Sequence, residues 1–283
     1  MRIHAWIVGL LSAVAAAGCG KVPETERAQL TVIPNSVVVA LGRKIGAGKL
    51  QGEQLETQTK DAQILNRVGE RVTRAERERD APWTYALIVD EDADSWAVPG
   101  GYVGVTTGML PVLRNEAGMA FVVGHEVGHV SARHANERIS HQLVLFGGLT
   151  GLNFILDGTT AMTGGQRVAL LAALGVGTEV GVLLPFARQH ETEADVLGMM
   201  GAARSGYPPE EAFSTLARMD LMVKKGWVPR FLSTHPTFEH RQEELRAWLP
   251  EAQKRYERNR LPYNTQTTRW PGAPQVSELP PAS

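Results

Sequence analysis

Residues Asn115 to His134 read NEAGMAFVVGHEVGHVSARH, and the five residues HEVGH, His125 to His129, decide how the chain is read. Asn115 is a good N-cap and Glu116 suits the first turn of a helix. Ala117, Ala120, Phe121, Val123, Val127 and Val130 make that helix apolar on most sides, so it is expected to be buried. Two histidines four apart lie on one helix face, and both imidazoles can reach one metal ion. A buried helix that carries two His and one Glu needs a reason, because unpaired polar groups there are costly. A bound metal supplies one. The competing reading is an ordinary helix with two satisfied histidines.

In HEVGH, Glu126 follows the first ligand and can hold a water beside the metal. This is the zincin arrangement, and it implies peptide-bond hydrolysis by a zinc-activated water. Zinc in such a site takes a third protein ligand. A metzincin would place a third His ten residues after the first, but Ala135 stands there, and His134 falls at the wrong spacing. The remaining candidates are downstream carboxylates. The best segment is FARQHETEADVLGMM, Phe186 to Met200, where Glu191 and Asp195 lie one helical turn apart. Glu191 is a candidate zinc ligand, and Asp195 a candidate second-layer partner that orients a ligand His. Glu193 points elsewhere and is expected to be solvent-exposed or structural. Spacing alone does not separate Glu191 from Glu193.

HEVGH, then ARHANER (Ala132 to Arg138), then HETEAD, then LSTHP (Leu232 to Pro236) occur in one order. In this the chain resembles the gluzincin family of HtpX, the CAAX prenyl protease and the Oma-type proteases, and within it the periplasmic BepA/LoiP/YcaL-like lipoproteins. The resemblance runs from about Lys60 to Leu249. It implies an α+β, mainly α, zincin-like (gluzincin) metalloprotease domain with one Zn2+ per chain. By position it implies His125, His129 and Glu191 as zinc ligands, Glu126 as catalytic base, and Asp195 as the partner of His125. DSWAVPGG, Asp94 to Gly101, resembles the family's NAFALPGG. Asp94 stands where the family usually has Asn, which puts a charge near the cleft. His235 matches a family His in a loop near the metal, which in some relatives occupies the zinc and restrains activity. His235 is the first choice for a donor to the tetrahedral intermediate, and Arg241 a weaker one.

Gly100 and Gly101 allow a sharp backbone bend. Tyr102 to Thr106 favours a strand. An edge strand here would pair with an extended substrate through its backbone, with Gly100, Gly101, Tyr102 and Val103 as substrate-binding residues. Such pairing is weakly side-chain specific and suits unfolded or misassembled protein substrates. A CAAX-type substrate is disfavoured, because the multiple spans of that branch are missing.

The chain opens MRIHAWIVGLLSAVAAAG and then Cys19, its single cysteine. The apolar run is too short for a transmembrane helix and fits a signal peptide over residues 1–18. AAG before Cys19 resembles a bacterial lipobox, so Cys19 is the expected lipidation site and residues 19–57 the anchor, tether and an irregular N-terminal segment. More than one acyl chain there gives stable anchoring. Gly20 after Cys19 does not signal inner-membrane retention. The expected place is the periplasmic face of the outer membrane of a Gram-negative bacterium, with the outer-membrane assembly machinery a candidate partner. No internal repeat offers a docking module for it.

Residues 58–260 are expected to be one metallopeptidase domain and 261–283 a disordered tail. With 29 Lys and Arg against 30 Asp and Glu, the balance gives no nucleic-acid footprint. GRKIGAGKL, Gly42 to Leu50, is only superficially a phosphate loop, so no nucleotide is expected. Helices are expected at Thr59–Arg79, Pro208–Lys225 and Phe238–Leu249. Strands are expected at Trp83–Val89 and Tyr102–Thr106, forming a small sheet over the HEVGH helix. The apolar stretches Leu143–Leu156 and Val168–Phe186 read as a buried helical hairpin rather than membrane spans.

Overall fold

The computed structural model describes residues 19–76, 82–145, 187–224, 230–235, 241–260 and 270. The expected signal peptide, nearly all of the apolar hairpin and all of the tail except Trp270 lie outside them. The described chain is mainly helical with two small sheets.

HEVGH sits in the second half of helix α4, Glu116–Ser131, which follows the one-turn helix α3, Leu110–Leu113, and starts where Asn115 accepts a hydrogen bond from the Gly118 N–H at 2.9 Å. From Glu116 to His129 every residue of it is buried. Helix α2, Lys60–Ala75, is capped in the same way by Thr59, which accepts from the Ala62 N–H. Ile64, Leu65, Val68 and Val72 of α2 join Val123 and Val127 of α4 in the main core.

A four-stranded sheet covers one side of this core in the order β3 (Leu55–Glu56), β4 (Thr84–Ile88), β6 (Tyr102–Thr106), β5 (Ser95–Val98). Strand β6 pairs parallel with β4, Thr84 opposite Tyr102, and antiparallel with β5, Val98 opposite Tyr102. It is therefore central, and the strand expected at the edge is not available for pairing. The edges among the described strands are β3 and β5, and β5 is the one next to β6. The tight turn at Gly100 and Gly101, with φ of 98° and 99°, folds β5 back onto β6 and causes this.

Residues 19–57 are more ordered than expected. Strands β1 (Cys19–Lys21) and β2 (Ala28–Leu30) form an antiparallel hairpin. Helix α1, Asn35–Leu50, follows and buries Val38, Gly42 and Gly46. These three positions repeat every four residues, so a stripe with two glycines lies against Pro99 and Tyr102. GRKIGAGKL is thus the interior of a helix and not a loop. Its apolar signal is weak because glycine, not leucine or valine, makes the contact.

After α4 come α5 (His134–Leu145), α6 (Ala187–Arg204), α7 (Glu211–Lys224), α8 (Arg230–Thr234), α9 (Arg241–Arg246) and α10 (Leu249–Asn259). The helix expected over Phe238–Leu249 is in fact the short α9 and the start of α10. Pro250 lies in the first turn of α10, where a missing N–H breaks no bond, so it opens a helix instead of closing one. In the tail, Trp270 is buried and donates from Nε1 to Asp61 at 2.9 Å. At that residue the expectation of disorder fails, because the indole fills part of the core beside α2.

Helix α6 packs along α4 at very short range. A Cβ at Gly198 would stand 2.7 Å from the His125 backbone nitrogen, and one at Gly124 would stand 2.9 Å from the Gly198 carbonyl oxygen. Only glycine at both positions allows this approach, and the approach brings the carboxylates of α6 to the histidines of α4. No described helix is long and apolar enough to cross a membrane.

Candidate metal centre

Helix α4 projects His125 and His129 onto one face, with their Nε2 atoms 3.2 Å apart. Helix α6 brings Glu191 opposite, with its carboxylate oxygens 3.4 Å from each of these nitrogens. His235, just after α8, places Nδ1 3.2 Å from His125 Nε2 and 3.1 Å from Glu191. One ligand atom from each of these four residues lies within 4.8 Å of the others, and all four residues are buried. Zinc bonded to nitrogen or oxygen at about 2.0–2.1 Å in a tetrahedron separates its ligand atoms by about 3.3 Å. Five of the six edges, at 3.1 to 3.4 Å, match that figure, with Glu191 meeting the two helix histidines through different oxygens, and the whole set spans no more than 4.8 Å. Three imidazoles and a carboxylate are also a donor set that zinc takes. The residues present therefore fit the ion.

The next layer of contacts sets the direction of each ring. Asp195 Oδ1 accepts from His125 Nδ1 at 2.9 Å. This leaves the Nε2 lone pair facing the cluster. Arg241 grips Asp195 through Nε at 2.7 Å and Nη2 at 2.8 Å. It lies 3.6 Å from Glu191 and is buried. Arg241 thus backs the ligands and does not point at a bound peptide. Burial opposes ionisation of Asp195, and Arg241 with His125 outweighs it, holding the carboxyl below its usual range. Glu191 is held well below that range against the same burial by His235 and the two helix histidines.

Glu126 sits beside the cluster but does not join it. Ser95 Oγ of β5 donates to Glu126 Oε1 at 3.1 Å, and His235 Nε2 lies 3.6 Å from the same oxygen. The pocket in front is lined by Ala97, Pro99, Glu126, His129, Arg138 and His235, among others. Its strand wall is β5 and the turn after it. Val103 is fully buried in the core, and Tyr102 packs over Gly46. Gly100 and Gly101 face Val39, Arg43 and Pro82. The four residues expected to contact substrate therefore shape the turn and the sheet behind the wall, because β6 is central.

Two side chains beyond His129, His134 and Glu193, form a chain of contacts that the ligand spacing did not point to. His129 Nδ1 meets His134 Nδ1 at 2.9 Å, and His134 Nε2 meets Glu193 Oε2 at 3.0 Å. Arg133, at φ 55°, ends α4 in the left-handed conformation and turns His134 beneath His129. Glu193 is 4% exposed and bonded to His134 and Arg27, so of its two expected roles, solvent-exposed or structural, the structural one stands. Helix α6 is buried on two faces, one toward α4 and one toward α5. The repeated His-x-x-Glu, His134 with Glu137 and His190 with Glu193, was the available clue. Each histidine meets the other pair's glutamate, His190 bonding Glu137 at 2.9 Å.

The model of peptidase family M48 matches residues 59–249. The chain is 32% identical over 216 residues to the mitochondrial metalloendopeptidase OMA1 of Schizosaccharomyces pombe, covering 76% of this chain and 60% of that one. It is 28% identical over 186 residues to the beta-barrel assembly-enhancing protease of Escherichia coli, covering 65% of this chain and 38% of that one. It is also 28% identical over 178 residues to a mitochondrial metalloendopeptidase OMA1 of Bos taurus, with 61% and 33% covered. The chain thus spans about a third to three fifths of the length of these relatives.

Proposed function

The chain belongs to peptidase family M48, and on that footing we propose that it is a zinc-dependent metalloendopeptidase with Glu126 as general base. The observation that carries the reading is the buried set of His125, His129, Glu191 and His235, its ligand atoms within 4.8 Å of one another, with the Glu126 carboxylate beside it. Zinc in that set supplies a Lewis acid that polarises a carbonyl and acidifies water toward a pKa of about 7. Glu126, steadied by Ser95, takes the proton of the attacking water and returns it to the leaving amine. Asp195 and Arg241 hold His125 in the tautomer that keeps Nε2 free. An extended peptide lies along β5, the edge strand that walls the pocket, where backbone pairing asks little of its side chains. That favours unfolded or misassembled proteins as substrates.

A periplasmic place, lipid attachment through Cys19 and a role in envelope protein quality control extend this proposal. Their support is the apolar run before Cys19 and the similarity to the beta-barrel assembly-enhancing protease. The outer-membrane assembly machinery is the partner class this similarity suggests.

A second reading has its own observation. His235 Nδ1 stands 3.2 Å from His125 Nε2 and 3.1 Å from Glu191, so it takes the position that a three-ligand site would leave open for a substrate carbonyl. In that position His235 restrains the enzyme until its ring is displaced. Displaced from it, the same ring is a donor to the developing oxyanion.

The test is metal content and casein cleavage by the chain from residue 20, wild type against Glu126→Gln and His235→Ala. One zinc per chain, with cleavage reduced by a factor of about 10² to 10⁴ in Glu126→Gln, is the expected result. Faster cleavage in His235→Ala identifies restraint, and slower cleavage identifies an oxyanion donor. A chain that binds no zinc overturns the proposal.

A further inference from the structure

The N-terminal hairpin reaches toward the metal centre chiefly through Arg27, with Thr25 Oγ1 donating more weakly to Glu193 Oε1 at 3.4 Å. Arg27, just before β2, donates from Nη1 and Nη2 to the two oxygens of Glu137, each at 2.7 Å. It also donates from Nε to Glu193 Oε1 at 2.5 Å and from Nη2 to Glu193 Oε2 at 2.9 Å. A guanidinium presents such paired donors in a fixed plane, and few other groups could fork two carboxylates at once. Glu193 Oε2 then meets His134 Nε2, and His134 Nδ1 meets His129 Nδ1.

The direction of these bonds follows from the donors available. A carboxylate only accepts, so His134 Nε2 carries the hydrogen and its Nδ1 offers a lone pair. His129 Nδ1 must then donate, which leaves His129 Nε2 with the lone pair that faces Glu191 and His125. That is the tautomer a ligand histidine needs.

The turn before Arg27 is built to hold this aim. Glu24 and Glu26 stand at φ 64° and 55°, a conformation that costs a non-glycine residue free energy unless its surroundings impose it. Glu24 is clamped by Arg204 of α6 at 2.6 Å and Arg255 of α10 at 2.8 Å. Val22 is fully buried against Ala132 and Leu197.

We propose that Arg27 is a positioning residue of the metal centre, fixing the ring of His129 through Glu193 and His134. The proposal rests on the zinc peptidase reading and adds the N-terminal hairpin to its active site. The hairpin lies outside the residues matched by the family model, 59–249.

The test is zinc affinity of the full chain, read by competition with a chromogenic chelator, for wild type, Arg27→Met, Arg27→Gln, Arg27→Lys and Glu24→Gln. Folding of each is checked by circular dichroism. Loss of an outer partner of a metal ligand lowers affinity by about 10- to 100-fold, and Arg27→Met and Arg27→Gln are expected near the lower figure. Their kcat should fall while KM moves little. Arg27→Lys, which keeps the charge but not the fork, should recover part of the affinity. Glu24→Gln should melt at a lower temperature with zinc affinity unchanged. Wild-type affinity in a folded Arg27→Met or Arg27→Gln overturns the proposal. So does a loss in Glu24→Gln as large as in Arg27→Met, since hairpin docking alone would then set the affinity. If wild type itself binds no zinc, the peptidase reading fails first, and the two failures are told apart.

Discussion

Asp94 is the residue at which this chain departs from the motif it resembles, and its surroundings oppose the charge. It is 9% exposed, and its nearest basic group, Arg230, is 3.9 Å away. Burial pushes its pKa up to about 6, with Lys49 pulling the other way and Glu126 adding to the rise. The unfolded chain releases this proton near pH 4, so from about pH 4 to 6 the folded state holds more protons and stability falls as pH rises. Above pH 6 the full penalty is present. Asp94→Asn should therefore stabilise the protein at pH 7 by about 1–3 kcal/mol and do little at pH 4. Urea unfolding at both pH values checks this, and an equal effect at both would refute it. At this scale the sequence was readable where the partners are local. His125, Glu126 and His129 lie within one helical turn and a half, so their spacing states their geometry. Ser95, 31 residues from Glu126, and Arg27, 166 residues from Glu193, meet their partners only through the fold.

Between elements, the α4–α6 contact sets the site more than any single ligand does. Glu191 and Asp195 reach His125 because Gly124 and Gly198 let two backbones touch. Gly198→Ala would place a Cβ 2.7 Å from the His125 nitrogen and 2.9 Å from the Phe121 oxygen. Both are backbone atoms of a buried helix and cannot move aside like a side-chain tip. Overpacking of this kind costs about 1–3 kcal/mol, and the parted helices should hold zinc less well. Thermal unfolding with zinc titration measures both, and unchanged zinc affinity would show that the helices absorb the strain elsewhere. The caps and apolar stripes of α2 and α4 were legible because Thr59, Asn115 and the valines act on neighbours in sequence. Two features were hidden. Helix α1 packs through glycines, which carry no apolar signal. The position of β6 depends on the partner strand β4, which pairs from 18 residues upstream.

Across the whole molecule, the centre draws on β5, α4, α6, the residue after α8, and α9, and the hairpin at residues 19–30 braces it. That hairpin grips α6 and α10 through Glu24, and Trp270 bonds Asp61 of α2. Such a centre gathers Glu126, Glu191, Asp195 and four histidines in a buried space, with Arg241 a cation among them. Buried charges are tolerated only when paired, and a divalent ion among Glu191 and the imidazoles strengthens that pairing. A ligand that binds only the folded state stabilises by about 4 kcal/mol at a thousand times its dissociation constant. For a chain of this size each kcal/mol moves the melting temperature by roughly 2–4 °C. Stripping zinc with a chelator should then lower the melting temperature by roughly 10 °C, and added zinc should restore it. Calorimetry on stripped and reloaded protein checks both arms. A melting temperature indifferent to zinc would mean that the packing and ion pairs around the site, and not the ion, hold these ligands together.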